Sequence, residues 1–195
     1  MFINNKTIID TSIFTDNLDK ITKDYIRYRD FSYFFDYSHD YNLTADSTDF
    51  KTFVPKYTGY MWQVCPLIFN RKPIENVVPS DVKDSFTTNL FLSQEVKPVL
   101  AVFSILESGA ELDPHDDGDK RIDPRYPDST VYKFHFSLDI PDGNKCALVC
   151  GDETRVLKNG DLNVFDEEVT HFAYNKSDSR RGVLIVSYIK DEINI

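Results

Sequence analysis

Short runs rich in apolar, β-branched and aromatic residues are separated by turn residues through most of the second half of the chain. Runs of roughly four to eight such residues, bounded by turn signals, are typical of the β-strands of a sandwich or barrel. Proline, glycine, asparagine and aspartate favour tight connections between the runs, as at 141–144, 151–152 and 159–160. The runs that predict strands are 96–106, 131–140, 145–150, 153–157, 162–165, 170–175 and 182–189. This series predicts a mainly β double-stranded β-helix, a cupin-like jelly roll.

The first half of the chain has a mixed pattern, which predicts helices that pack on the sheet. Apolar residues recur at helical spacing over 16–28, with Thr15 as the expected N-cap. A second short helix is expected to begin at Ser80, directly after a proline. A ring-rich stretch at 31–41 has two interpretations: core packing against the sheet, or a substrate wall or dimer face.

The length of the chain indicates one domain. A chain of 195 residues is long enough for one sizeable core and short for two. We therefore expect residues 1–95 to be a helical and mixed support for a jelly-roll core at 96–195.

Composition bears on partners and compartment. The net charge of −10 argues against a nucleic-acid or anionic-membrane surface, because such surfaces need excess lysine and arginine. No apolar run reaches the roughly 18 residues that span a bilayer, and the first residues do not resemble a signal peptide. The three cysteines match neither a disulfide framework nor a zinc pattern. We expect a cytoplasmic protein with no membrane partner.

Candidate chemistry lies in three stretches of the second half. Residues two apart in an extended strand point to the same side, so His115 and Asp117 are expected to converge. With His171 they form the 2-His-1-carboxylate set that holds non-haem iron(II) and leaves three positions open. Taken alone, a His-x-Asp pair is a weak signal, and the alternative is a surface histidine beside acids. Arg181 follows His171 by ten residues, where it suits a dicarboxylate co-substrate.

The longer motifs around these residues resemble one known family. They are FSILESGAELDPHDDG at 103–118, YKFHFSLDIP at 132–141, and the run from GDETRVL to GVLIV at 151–186. Together they are similar to the aspartyl/asparaginyl β-hydroxylase family, with weaker similarity around YTGYMWQVCPLIFN. This resemblance implies a hydroxylase on a double-stranded β-helix that uses iron(II), 2-oxoglutarate and dioxygen.

The resemblance also implies residue roles. His115 and His171 match the two iron histidines, and Asp117 matches the aspartate of the bacterial lipid A hydroxylase branch, where the animal members have glycine. Arg181 matches the arginine that pairs with the 5-carboxylate of 2-oxoglutarate. Ser104 and His135 also match residues that contact the co-substrate in the family. The alternative for His135 is a histidine that belongs to the core.

Departures from the family pattern affect the expected contacts. Lys133 replaces an arginine near His135, which removes a bidentate group from the co-substrate region. A polar insertion at 119–128 is either a lid, with Arg121 and Arg125 facing a substrate carboxylate or phosphate, or a solvated loop. Acids before His171, at 166 and 167, are either a turn or a group that orients the ligand histidine.

The resulting hypothesis is hydroxylation of an unactivated C–H bond in a small carboxylate-bearing substrate, such as an amino acid or peptide. A lipid substrate is disfavoured at this stage because no membrane anchor is evident in the sequence. Two alternatives stay open: a non-catalytic cupin-like protein that binds a metal or a small acid, and a structural sandwich that binds a partner.

Overall fold

The computed structural model describes residues 1–3, 10–31, 33–34, 62–75, 80–116 and 130–193. Its α-helices are α1 (Ser12–Thr15), α2 (Leu18–Tyr28) and α3 (Phe86–Leu92), and short 3-10 helices span Arg29–Phe31, Ser80–Asp84 and Lys190–Glu192. The first strands are β1 (Tyr33–Phe34), β2 (Trp62–Phe69), β3 (Lys72–Pro73), β4 (Leu100–Leu106) and β5 (Val131–Asp139). The remaining strands are β6 (Cys146–Cys150), β7 (Glu153–Val156), β8 (Leu162–Asp166), β9 (His171–Asn175) and β10 (Arg181–Ile189).

The strands form two antiparallel sheets that face each other. The large sheet has the order β1-β2-β4-β10-β5-β8, with β3 also paired to β2. The small sheet has the order β7-β6-β9, and isolated bridges at Glu111 and His115 attach a further segment to β9. Strands that are distant in sequence are neighbours in both sheets, which is the topology of a double-stranded β-helix. The predicted mainly β jelly roll is confirmed.

The N-terminal helices cover the outer face of the large sheet. One face of α2 buries Ile21, Tyr25 and Tyr28, and this face joins the same apolar core as strands β4, β5 and β10. Phe14 of α1 packs on this core, with its ring stacked on that of Phe134 at a centroid distance of 5.8 Å. The expectation of helices packed on the sheet is therefore confirmed.

Alternation along the central strands separates two environments. In β4, Ala101, Phe103 and Ile105 belong to the core beneath the helices, whereas Leu106 belongs to a second core against the small sheet. Side chains between them in sequence, including that of Ser104, point to the interior between the two sheets because strand residues alternate in direction. This interior carries the candidate chemistry.

Close packing at one glycine joins α2 to the start of β10. A Cβ atom built on Gly182 would lie 2.1 Å from Cζ of Tyr25, so only a hydrogen atom fits at this position. The pairing of β10 with β5 also shifts register between Gly182 and Val183. Helix α2 and strand β10 are therefore in direct contact next to Arg181.

Two sequence predictions about the first half need correction. Thr15 is not the N-cap of the helix predicted over 16–28, because it ends α1 and its hydroxyl donates to the carbonyl oxygen of Ser12. Asn17 precedes α2 instead, and its side-chain amide donates to the carbonyl oxygen of Ile13. From Ser80 the chain forms a 3-10 helix, and the α-helix that follows is capped by Ser85.

None of the described helices is long and apolar enough to cross a lipid bilayer. The side chains of the ring-rich stretch at 31–41 lie outside the described part of the chain, so both of its interpretations stay open.

Candidate functional site

Strand pairing brings the two predicted metal histidines together. His115 and His171 form an antiparallel bridge, with the amide of His115 3.1 Å from the carbonyl oxygen of His171 and the reciprocal bond at 2.8 Å. Residues opposite each other in such a bridge project to the same face. Their ring centroids are 4.6 Å apart, which is close enough for both imidazoles to reach one ion.

Both imidazoles are held by backbone carbonyl groups. Nδ1 of His115 lies 2.6 Å from the carbonyl oxygen of Asp113, and Nδ1 of His171 lies 2.8 Å from that of Val169. A neutral imidazole that donates from Nδ1 carries its lone pair on Nε2, which is a metal-binding atom. The ring of Phe165 packs against that of His171 at 4.8 Å and restricts its rotation.

A backbone carbonyl holds Nδ1 of His171, and the acids that precede this histidine have contacts with other groups. Asp166 pairs with Lys190 at 2.6 Å, and an oxygen of Glu167 accepts the amide of Val131 at 2.9 Å. The observed contact of Nδ1 in His171 is a backbone carbonyl. A backbone contact of this kind is compatible with many sequences, which explains why the residue types alone did not reveal it.

Three predicted residues lie outside the described part of the chain: the third metal ligand, Asp117, and the arginines of the insertion, Arg121 and Arg125. Within the described ranges, no three histidine, cysteine or acidic side chains are grouped closely enough to hold a metal ion. The assignment of Asp117 as a ligand stays a prediction.

Arg181 is a buried cation at the first position of β10. It is 2% exposed, and burial lowers the pKa of its guanidinium to about 10, so the group remains charged at neutral pH. Its Nη1 lies 3.2 Å from Nε2 of His135, and its Nε has no hydrogen-bond partner. None of the ion pairs among the described residues includes Arg181. A buried guanidinium with this surplus of donors fits a carboxylate ligand.

The neighbouring arginine has a different environment. Arg180 is partly exposed and pairs with Asp30 at 3.3 Å and with Glu107 at 3.6 Å. The two consecutive arginines therefore differ in both burial and pairing. Of these two arginines, only Arg181 is buried and has an N–H group without a hydrogen-bond partner.

Other predicted co-substrate residues share this interior face. Ser104 of β4 is directly opposite Val183, which is two residues beyond Arg181 on β10. His135 of β5 is opposite Ile185, and Lys133 lies two residues before it on the same side of the strand. These residues therefore lie on the same interior face as Arg181, and His135 is in contact with it.

Trp62 is a residue of this region that was not predicted to belong to the site, although it lies in the segment YTGYMWQVCPLIFN. Its indole N–H donates to the hydroxyl oxygen of Ser104 at 2.8 Å. A serine hydroxyl that accepts this bond directs its own proton elsewhere, so Ser104 is prepared to donate to an anion. Trp62 is the only tryptophan in the chain, and its rarity and its place in a segment with weaker family similarity were the available signals.

His135 is kept neutral by its surroundings. Burial lowers the pKa of its imidazole well below the usual value, and the positive charge of Arg181 adds to the effect. Because Nε2 faces the N–H donor of Arg181, we assign the ring proton to Nδ1. A neutral ring beside Arg181 leaves the guanidinium as the main cation for an incoming carboxylate.

This environment predicts a dependence of stability on pH. Below about pH 6.5 the unfolded chain protonates His135 while the folded protein does not, so stability falls as the pH falls. We expect metal-free wild type to lose up to about 2 kcal/mol more than the variant His135→Gln between pH 7 and pH 5. Urea unfolding of both proteins at each pH measures the difference, and equal losses would contradict the assignment.

The paired histidines and the two facing sheets define a jelly-roll protein with a candidate metal site beside a buried arginine. The sequence model of the aspartyl/asparaginyl β-hydroxylase family matches residues 15–191. The chain belongs to this family, which supports a hydroxylase or oxygenase enzyme.

One curated relative has a narrower description. The ornithine lipid ester-linked acyl 2-hydroxylase of Rhizobium tropici is 32% identical over 91 residues, which is 46% of this chain. The match spans 29% of the length of that relative.

Some solved structures match about two thirds of the chain. The plu4264 protein of Photorhabdus luminescens matches with a TM-score of 0.41 and 11% identity, over 68% of this chain and 79% of that one. A predicted oxalate decarboxylase of Thermotoga maritima matches with a TM-score of 0.39 and 11% identity, over 66% and 80% of the two chains. At these scores the fold assignment depends on the sheet topology and not on the matches.

Proposed function

We propose that this protein is an iron(II)- and 2-oxoglutarate-dependent hydroxylase that acts on a small carboxylate-bearing molecule such as an amino acid or peptide. The observation that carries the proposal is the pairing of His115 with His171 in the same interior as the buried Arg181. Family membership supports the hydroxylase part of it.

The donor set suits iron(II). Imidazole nitrogens bind divalent iron well, and the carbonyl contacts at both Nδ1 atoms favour the tautomer that ligates through Nε2. His115 and His171 would hold the ion together with Asp117. When bound, iron(II) with 2-oxoglutarate and dioxygen supplies the oxidising power that converts a C–H bond to C–OH, with succinate and carbon dioxide as the other products.

Buried cationic and hydroxyl groups suit the far end of the co-substrate. Arg181 would donate to the carboxylate that lies away from the metal, and Ser104, oriented by the indole of Trp62, would add a second donor. His135 would limit rotation of Arg181 through their 3.2 Å contact. Lys133 would contribute positive charge on the same face.

Substrate contacts are assigned to the polar insertion at 119–128. Arg121 and Arg125 would bind a carboxylate of the substrate, as cations of a segment that follows His115 closely in sequence. An acyl chain is the second candidate substrate, because the relative in Rhizobium tropici is described as an acyl 2-hydroxylase.

Succinate release tests the proposal. The protein is incubated with iron(II), ascorbate, 2-oxoglutarate and air, with amino acids, short peptides or ornithine lipid as candidate substrates. We expect substrate-dependent succinate and a product heavier by one oxygen atom, which derives from ¹⁸O₂ when labelled gas is used. A product from ornithine lipid alone would favour the second candidate. Iron binding without succinate under any condition would overturn the proposal and leave a non-catalytic binding protein.

A further inference from the structure

Asn175, the last residue of β9, has a side chain that is fully buried and saturated with hydrogen bonds. Its Nδ2 donates to three backbone carbonyl oxygens: Leu106 at 3.0 Å, Glu107 at 3.0 Å and Ser179 at 2.7 Å. An amide nitrogen has two hydrogens, so three acceptors exceed its ordinary capacity and one bond is shared. The amide therefore joins the end of β4 to the turn before β10.

The oxygen of the same side chain also accepts three hydrogen bonds. Oδ1 accepts from the thiol of Cys146 at 3.2 Å and from both the amide and the hydroxyl of Ser177. The hydroxyl of Ser177 lies 2.8 Å from the carbonyl oxygen of Ser179 as well. These contacts define the conformation of the turn that connects β9 to β10.

The three elements that meet at Asn175 each carry a residue of the candidate site. His171 begins the strand that Asn175 ends, Ser104 lies two residues before Leu106, and Arg181 lies two residues after Ser179. Arg181 makes only one side-chain hydrogen bond within the described part of the chain, to His135. Before a ligand binds, its position therefore depends mainly on where the backbone of β10 begins.

Given the proposed function, we infer that Asn175 is a positioning residue that places the co-substrate-binding end of β10 relative to the metal-binding strand β9. Metal binding itself depends less on Asn175, because two backbone hydrogen bonds join His115 to His171 directly. Loss of the amide should therefore weaken co-substrate binding more than metal binding.

The substitution Asn175→Asp tests this inference with almost no change in shape. A carboxyl group offers at most one proton, and only in its protonated form, whereas the amide offers two to the three carbonyl oxygens. We expect the dissociation constant for 2-oxoglutarate, measured by anaerobic calorimetry on Mn(II)-loaded protein, to rise roughly 10-fold or more. The dissociation constant for Mn(II) should change by less than about 3-fold. A smaller rise for 2-oxoglutarate than for Mn(II), or an equal one, would contradict the inference.

Two further variants keep the test decisive. Thr88→Ala removes a buried hydroxyl that donates to the carbonyl oxygen of Val82 in the helical layer, so it controls for a general loss of stability and should leave both constants unchanged. Ser177→Ala keeps the amide and removes one link of the turn, and it decides the question if Asn175→Asp does not fold. We expect a rise of about 3-fold for 2-oxoglutarate in Ser177→Ala, and no rise would contradict the inference.

The outcomes also separate this inference from the proposed function. Wild-type protein that binds Mn(II) but no 2-oxoglutarate would overturn both. Wild-type protein that binds both, with Asn175→Asp and Ser177→Ala indistinguishable from it, would overturn only the role of Asn175.

Discussion

The variant Arg181→Met is expected to lose binding of 2-oxoglutarate and, at the same time, to unfold at a higher temperature than wild type. Removing one partner of a buried charged pair typically costs roughly 2–5 kcal/mol, which is about 30-fold to several thousand-fold in affinity. Calorimetry with Mn(II)-loaded protein measures this loss. Binding within about 3-fold of wild type would show that the co-substrate carboxylate is not held by Arg181.

The gain in stability has a separate cause. Folding of the ligand-free protein buries the Arg181 guanidinium with a single hydrogen bond among the described residues, and its Nε has no partner. Apolar replacement of buried charges is often stabilising by about 1–4 kcal/mol, and each kcal/mol raises the midpoint of a chain of this size by roughly 2–4 °C. We therefore expect a rise in Tm of several degrees, measured without ligand. A lower Tm would indicate that Arg181 stabilises the fold.

Arg180→Met is the matched control because it removes the same group one position earlier. Arg180 is partly exposed and paired with Asp30 and Glu107. Exposed ion pairs contribute about 0–1 kcal/mol, so this variant should retain 2-oxoglutarate binding and have a slightly lower Tm. Opposite signs of the change in Tm for the two variants would be difficult to explain by any general effect of charge.

The second large effect is expected for His171→Gln, which should abolish metal binding. Loss of an outer partner of a metal ligand already costs roughly 10–100-fold in affinity, so loss of the ligand itself should cost at least about 100-fold. The metal content of protein purified after loading with iron(II), together with calorimetry with Mn(II), measures the effect. Retention of one equivalent of metal by the variant would exclude His171 as a ligand.

His135→Gln is the control for this second prediction. His135 is also buried and lies on the same interior face, but its Nε2 faces Arg181 and not the histidine pair. This variant should bind metal like wild type and bind 2-oxoglutarate more weakly, because Arg181 loses its neighbour. Equal loss of metal in both variants would indicate that the interior, and not one ligand, had been disrupted.

Much of the fold was predictable because its strands are short apolar runs bounded by turn residues. Strand β4 is buried on both faces, so its sequence LAVFSIL indicates a strand but does not show which side chains face the interior between the sheets. The start of the first helix was less predictable. Thr15 is a good N-cap by residue type, yet the turn at Asp16 and Asn17 divides the segment into two helices. Local preference indicated a helix but not where it is interrupted.

For the candidate site, the sequence indicated which residues are chemically suitable, and the structure showed which of them are in contact. His115, His171 and Arg181 were identifiable from spacing and from the resemblance of their motifs. The contribution of Trp62 was not identifiable, because its link to Ser104 depends on the pairing of β2 with β4. The same holds for Asn175, whose partners lie on β6, on β4 and in a turn.

The sequence by itself determined where most of the strands and turns lie, which side chains are able to bind a metal or an anion, and the family to which their motifs belong. Only the tertiary structure decided that the imidazoles of His115 and His171 lie side by side, and that Arg181 is buried while Arg180 is paired at the surface. The physical reason is that strand-forming runs, turn residues and residue chemistry are local properties of the chain. Burial and strand pairing arise from the cooperative packing of segments that are far apart along it.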